Sequence, residues 1–345
     1  MRKYSRIRYF LLGISALASS GIHCFIFAKE TNIFPYYILL DTNTGNVIEE
    51  NYPDYPWNPA SLTKLMTTYV VFSLLEKQQV KLNLNTPIFI SKNATRKPPA
   101  SSTLKQGSII SLDNALKILI VKSANDIAVA IAESLCKTEA EFVKQMNYTA
   151  TKLGLNATNF TNSHGVIEYG HYTTARDIAI LSQRIKSDFP QYAHYFKIKG
   201  LDINGKKYPN TNWAIGIFPG ANGMKTGFTC ASGFNIVVSA SRDKRSFIAV
   251  ILGAENRNLR NHISEKLLST GFSNTINRKR LNYIIKNYYR QNLSNNVPDI
   301  SEKVCTTKNE SINYSTQIQE SKDKAKYFNT FDVITLLENK KSATK

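Results

Sequence analysis

The sequence predicts an α+β domain in which helices pack on an antiparallel sheet. Strand-like runs stand towards both ends of the ordered region, helical patterns fill the stretch between them, and no β-α-β unit repeats along the chain. The terminal strands are expected to share one sheet. With 345 residues and 42% apolar content, the chain can form one large domain with an appendage, or two domains.

The elements follow in order. Arg2, Lys3, Arg6 and Arg8 precede an apolar stretch from Tyr9 to Ala28, the layout of a signal peptide or signal anchor over residues 1–28. Ala16-Leu17-Ala18 fits a small-residue cleavage pattern but leaves a short apolar region before it. Cleavage after Ala28 is the second reading, and an uncleaved span is the third, since the stretch nears the length of a bilayer crossing. A buried core helix would need an amphipathic period that is absent. The chain is thus read as exported, to the periplasmic side of the inner membrane or the wall side of the envelope.

Export changes the meaning of the formal charge of +19. Such a balance fits nucleic acid or an anionic surface. Outside the cytoplasm, it points to envelope polymer or a membrane surface and away from nucleic acid. Cys24 falls in the targeting segment, and Cys136, Cys230 and Cys305 show no paired spacing, which argues against a disulfide framework. His23, His164, His171, His194 and His262 are scattered, so no metal and no other cofactor is expected.

From residue 29 to 272 the pattern is that of the folded domain. Tyr36 to Asp41 reads as a strand, Asn43-Thr44-Gly45 as a turn and Asn46 to Glu49 as the returning arm. Pro59 opens a helix over Leu62 to Leu75, where its missing N–H costs nothing. Short strands follow at Pro87 to Ser91 and Ser108 to Ser111. Helix is predicted over Asp113 to Leu135, broken at Lys122 to Asn125, and again over Thr138 to Leu153 and Thr174 to Ile185. Asn204-Gly205 marks a hairpin. Phe234 to Ala240 and Ser246 to Leu252 read as strands around a charged turn, and Asn256 to Leu268 as a helix stopped by Gly271. Residues 273–345 read as a basic, polar, poorly structured tail. Phe328, Phe331, Ile334 and Leu337 trace a loose helical face within it, suited to a membrane surface or to docking on the domain.

Three motifs carry the chemistry: Ser61-Leu62-Thr63-Lys64, Ser123-Ala124-Asn125 and Lys225-Thr226-Gly227. A serine hydroxyl needs a neighbouring base to become a nucleophile. Three residues apart on a helix, Ser61 and Lys64 share a face. Lys64 serves as that base only when neutral, which burial or a nearby cation such as Lys225 would achieve. Ser123 can relay a proton to the leaving amine, and Asn125 can hold Lys64 and the substrate amide. Lys225 and Thr226 can receive a carboxylate, with Gly227 letting the ligand lie against the strand. Singly, each motif is an ordinary helix, cap or turn string. The ordered set is the combination associated with penicillin-binding proteins and class A β-lactamases.

The stretches Asn58 to Met66, Val121 to Asp126, Leu153 to Phe160, Asn162 to Gly165, Thr173 to Asp177 and Gly223 to Thr229 together resemble the low-molecular-mass penicillin-binding proteins of the D-alanyl-D-alanine carboxypeptidase family, peptidase family S11. The resemblance spans roughly residues 30 to 272. It implies a β-lactamase/transpeptidase-like fold and a serine-type carboxypeptidase that removes the terminal D-alanine of peptidoglycan stem peptides and is covalently inhibited by β-lactams. By the same likeness, Ser61 is the acyl-ester nucleophile, Lys64 the proton acceptor, Ser123 and Asn125 the second active-site element, and Lys225 the substrate-binding lysine. The backbone N–H groups of Ser61 and Phe228 would form the oxyanion hole. His164 is read as a loop residue, because Lys64 already supplies the base. Family members often carry a small all-β domain and an amphipathic anchor, and the polar stretch after Ser273 departs from that pattern. The alternatives, in order, are a D,D-endopeptidase cutting cross-links, a β-lactamase, and a non-catalytic wall- or penicillin-binding protein. For the β-lactamase, Glu133, Glu139, Glu141 and Glu168 are the only glutamates between the second and third motifs, and none lies in a Glu-x-x-x-Asn pattern.

Overall fold

Strands β8 (Gly233–Arg242) and β9 (Arg245–Ala254) are buried along almost their entire lengths, and such unbroken burial requires cover on both faces of the sheet. The computed structural model describes residues 35–77, 81–97, 100–273, 297–305 and 331–337. The predicted signal segment lies outside these residues.

In chain order, β1 (Tyr36–Asp41) and β2 (Val47–Asn51) form the first hairpin. A short 3-10 turn, Ala60–Leu62, then leads into α1 (Thr63–Leu75). After β3 (Pro87–Phe89) and β4 (Ile109–Ser111) come α2 (Leu112–Val121), α3 (Asn125–Cys136), α4 (Glu139–Lys152) and α5 (Ala175–Asp188). The helices open where side chains can cap them: Ser111, Thr138 and Thr174 each accept an amide hydrogen bond from the first turn. The hairpin β5 (Gly200–Ile203) and β6 (Lys206–Pro209) turns at Asn204-Gly205 as expected. Then β7 (Ala221–Thr229), β8 and β9 run antiparallel, followed by α6 (Arg257–Phe272).

The main sheet has the order β2-β1-β9-β8-β7, so β1 joins the late strands through β9, as the terminal-strand expectation requires. Helices α5 and α6 both pack on β8 and β9. The helix α6 runs through Gly271 to Phe272 rather than stopping there, because Gly271 lies against the Phe247 ring and its missing side chain is a packing requirement. Helix α1 has ten consecutive buried residues, Thr63 to Phe72, and so sits inside the core with no solvent face. Its buried hydroxyls are satisfied locally: Thr67 donates to the Ser163 carbonyl at 2.6 Å and Thr68 to the Lys64 carbonyl at 2.8 Å.

Two expectations are corrected. Cys230 and Cys305 form a disulfide across 75 residues, so the absence of a short Cys spacing did not mean the absence of a bridge. Second, the loose helical face ending at Leu337 is not helical where it is described. Asp332–Ile334 is a strand, β10, pairing in parallel with β5, because an exposed edge there accepts it. Ile334 is buried, Asn114 donates to the Thr335 carbonyl, and Leu337 N–H donates to the Ile109 carbonyl. A short helical turn, α7 (Ser301–Val304), also docks on the domain through buried Ile300 and Val304. The remainder of the predicted tail lies outside the described residues.

Candidate active site

The three motifs, scattered over the sequence, meet at one cleft. Its wall on one side is the turn Ala60–Leu62 with the α2–α3 junction, and on the other is the edge strand β7. The opening has a volume of about 280 Å³, and Ser61, Ser123, Thr226, Gly227 and Phe228 line it.

Ser61 is half-buried in the 3-10 turn, while Lys64 is only 1% exposed in the first turn of α1. Three oxygens stand within hydrogen-bond reach of the Lys64 amine: Asn125 Oδ1 at 2.7 Å and the His164 carbonyl at 2.7 Å, which accept from it, and the Ser61 hydroxyl at 3.0 Å. Burial drives its pKa well below that of an ordinary lysine, the charge of Lys225 drives it further, and Asp126 opposes the shift. A base beside the hydroxyl is the result. His164 enters the site through its backbone carbonyl. Its own ring is held at about 3 by burial and by Lys64, so it does not compete as a base near neutral pH.

Ser123 sits between α2 and α3 at φ +64°, a left-handed conformation that breaks the helical run where the sequence predicted a break. Asn125 begins α3, and its N–H donates to the Ala100 carbonyl at 2.6 Å. Asp126, next along, fixes the facing loop by accepting from the Ser102 amide at 2.9 Å and the Ser102 hydroxyl at 2.6 Å.

On the opposite wall, Lys225 is also 1% exposed, and burial lowers its pKa to about 7. Its amine donates to the Thr226 carbonyl at 3.0 Å. The Thr226 hydroxyl donates to Thr211 Oγ1 at 2.8 Å. Gly227 permits the close approach of the walls: a Cβ there would stand 2.9 Å from the Pro59 oxygen and 3.1 Å from the Ser61 nitrogen. The Phe228 ring packs tilted against Phe234, with centroids 4.3 Å apart, and stays 38% exposed at the rim.

All eight sequence-predicted residues therefore lie in or directly behind one cleft. Sequence reasoning missed Thr211, Arg257 and Arg260, which line it as well. The two arginines are three apart at the start of a helix that follows a strand, a spacing that places both on one face and was available as a signal. Thr211 offers none. Among the described residues, no group of three or more His, Cys, Asp or Glu side chains could hold a metal ion.

The profile of peptidase family S11, D-alanyl-D-alanine carboxypeptidase, matches residues 34–256. The chain belongs to this family. It is 36% identical over 243 residues to the D-alanyl-D-alanine carboxypeptidase DacC of Escherichia coli (strain K12), covering 68% of this chain and 60% of the relative. The match thus spans less than two thirds of that relative's length. Penicillin binding protein 5 from Haemophilus influenzae superposes with a TM-score of 0.66 at 34% identity, over 69% of this chain and 70% of that one. Penicillin-Binding Protein D2 from Listeria monocytogenes, solved in its ampicillin-bound form, gives a TM-score of 0.61 at 28% identity over 69% of this chain and 96% of that one. Fold and family agree with the α+β, transpeptidase-like expectation.

Proposed function

We propose that this chain is an exported serine-type D-Ala-D-Ala carboxypeptidase that removes the terminal D-alanine of peptidoglycan stem peptides through an acyl-enzyme on Ser61. The observation that carries the reading is the buried Lys64 amine, 3.0 Å from the Ser61 hydroxyl and depressed in pKa. Lys64 takes the Ser61 proton as the oxygen attacks the D-Ala-D-Ala carbonyl. The Ser61 and Phe228 amides hold the developing oxyanion. Ser123 passes a proton to the departing D-alanine amine, Asn125 orients Lys64 and the substrate amide, and water then releases the shortened peptide. Lys225 and Thr226 receive the terminal carboxylate, with Arg257 and Arg260 adding positive charge on the same side. No step calls for a cofactor.

Export to the periplasmic side of the inner membrane, or to the wall side of the envelope, is supported by the basic-then-apolar N-terminus and by the Cys230–Cys305 bridge, which suits an oxidising compartment. There the chain would trim peptidoglycan and so influence cell shape, and its basic surface would suit anionic polymer or a membrane face. Residues 29–272 are read as the catalytic domain.

The β-lactamase alternative needs a carboxylate near Ser61 to activate water. Glu133 is engaged by Ser91 and Asn93, Glu139 by Ser163, Glu141 by Lys144, and Glu168 by Thr161 and Asn162. These bonds favour the carboxypeptidase. The D,D-endopeptidase uses the same machinery and differs in acceptor length. One assay pair tests the proposal. Fluorescent penicillin should label the wild type and not Ser61→Ala, and a D-Ala-D-Ala pentapeptide should yield free D-alanine. Labelling that survives Ser61→Ala would end the acyl-enzyme reading, and release from cross-linked dimers alone would favour the endopeptidase.

A further inference from the structure

A hydrogen-bond chain runs from the loop at 161–171 to the peptide group that carries the Ser61 nitrogen. The Thr161 amide donates to His171 Nδ1 at 3.0 Å. His171 Nε2 lies 2.8 Å from Thr63 Oγ1, and Thr63 Oγ1 donates to the Ala60 carbonyl at 2.8 Å. The direction of each bond is dictated by its ends. A backbone amide can only donate, so Nδ1 accepts and Nε2 carries the ring proton. Thr63 then receives that proton in one bond and offers its own to Ala60.

His171, Thr63 and Ala60 are all sealed from solvent, at 2%, 0% and 0% exposure. Burial, with His164 nearby, holds the His171 pKa at about 3, which keeps the ring in the neutral form the chain of bonds needs. The Ala60 carbonyl is enclosed from another direction too, since a side chain on Gly165 would collide with it. Ala60 itself sits at φ +47°, a conformation that a residue with a Cβ keeps only when its surroundings hold it. Its N–H is held as well, by Asn58 Oδ1 at 3.0 Å.

A trans peptide is planar, and its C=O and N–H point in opposite directions. Fixing the Ala60 carbonyl therefore fixes the Ser61 N–H, whose nitrogen faces Gly227 across the cleft. We infer that His171 is a positioning residue for the oxyanion hole, acting through Thr63 and the Ala60 carbonyl to aim the Ser61 amide at the charge that develops on the scissile oxygen. The inference rests on the acyl-enzyme reading above.

The test separates aim from fold. Thr63→Val keeps shape and removes the hydroxyl, whereas Thr63→Ser keeps the hydroxyl. His171→Asn removes the donor to Thr63, and His171→Gln restores an amide nitrogen near the Nε2 position. In Thr63→Val and His171→Asn, kcat on the pentapeptide should fall about tenfold to thirtyfold with little change in KM, a fraction of the loss on deleting one oxyanion donor. Affinity for a peptidyl boronic acid, which forms a tetrahedral adduct on serine, should fall by the same factor. Thr63→Ser and His171→Gln should recover most of both. Melting temperatures are measured alongside, and Thr63→Val carries the test should His171→Asn not fold. Unchanged kcat and boronate affinity in folded Thr63→Val would overturn the inference, as would equal losses in Thr63→Ser. If penicillin labels wild-type Ser61 normally, such a result removes only the positioning role. If wild-type Ser61 forms no adduct at all, the acyl-enzyme reading falls and takes this inference with it.

Discussion

The two walls of the cleft each present a lysine that is 1% exposed, yet the two amines are treated differently. On the helical wall, the Lys64 amine is held by two acceptors, a side-chain amide and a backbone carbonyl, and lies 3.0 Å from the Ser61 hydroxyl. On the sheet wall, Lys225 makes one hydrogen bond among the described residues, to the Thr226 carbonyl, and lies beside a cleft lined with further cations. The difference matches the two roles proposed for the amines. A group that shuttles a proton internally must be held in one place and discharged, whereas a group that recognises an incoming anion must keep donor capacity and charge. Burial lowers both pKa values, and for Lys64 the charge of Lys225 acts in the same direction.

The largest expected effect strikes the helical wall. Lys64→Arg retains charge and removes a practicable base, so acylation by penicillin and by peptide should drop by about 10³-fold, within the range for a lost general base. Stopped-flow acylation rates check it, and a rate near wild type would mean that the proton leaves Ser61 by another route. The second effect strikes the sheet wall. Lys225→Ala should lower kcat/KM for D-Ala-D-Ala peptides by about 10²-fold, mainly through KM. The pH profile sharpens the contrast. Lys225 is charged below its pKa of about 7 and loses its proton above it, so kcat/KM for a carboxylate-bearing peptide should fall as pH rises through that region. An ester substrate without the carboxylate should lack that falling limb. An identical limb for both substrates would assign it to some other group.

The smallest expected effect on catalysis comes from the bridge beside the sheet wall. Cys230 follows Phe228 by two residues, and Ile300 N–H donates to the Ala231 carbonyl at 3.1 Å. Cys305→Ser should lower stability by about 2–4 kcal/mol, the usual range for opening a long loop. Denaturant titration measures that loss. The acylation rate in the folded variant should change by less than about threefold, because β7 keeps its antiparallel pairing with β8 without the bridge and so keeps Phe228 in place.

How much of this was legible beforehand depended on range. Ser61 and Lys64 announce themselves because one helical turn joins them, and Asn204-Gly205 because its turn is local. The ordered motifs carried enough information to place three distant segments in one site. Thr211 was not legible as a cleft residue, and the three-residue spacing of Arg257 and Arg260 marks a shared helix face without saying what that face meets, since only the fold brings α6 to the cleft. The Cys230–Cys305 bridge, closed across 75 residues, depends on where α7 docks, which no local spacing encodes. Phe331, Ile334 and Leu337 are spaced like a helical stripe, but three apolar positions cannot outweigh a free strand edge at β5, and β10 forms instead. The relay through His171 was illegible for a similar reason. A histidine and a threonine 108 residues apart say nothing of each other until α1 is buried against the loop.

The border position of β7 has a further consequence. A strand with an unpaired side ordinarily invites another chain to add to it, and that is how sheets fuse and precipitate. In this molecule the Ala60–Leu62 turn leans over that border at Gly227, and the gap left beside it is on the scale of a short peptide rather than of a neighbouring sheet. The turn that narrows the cleft at Gly227 also obstructs the addition of another strand along this border.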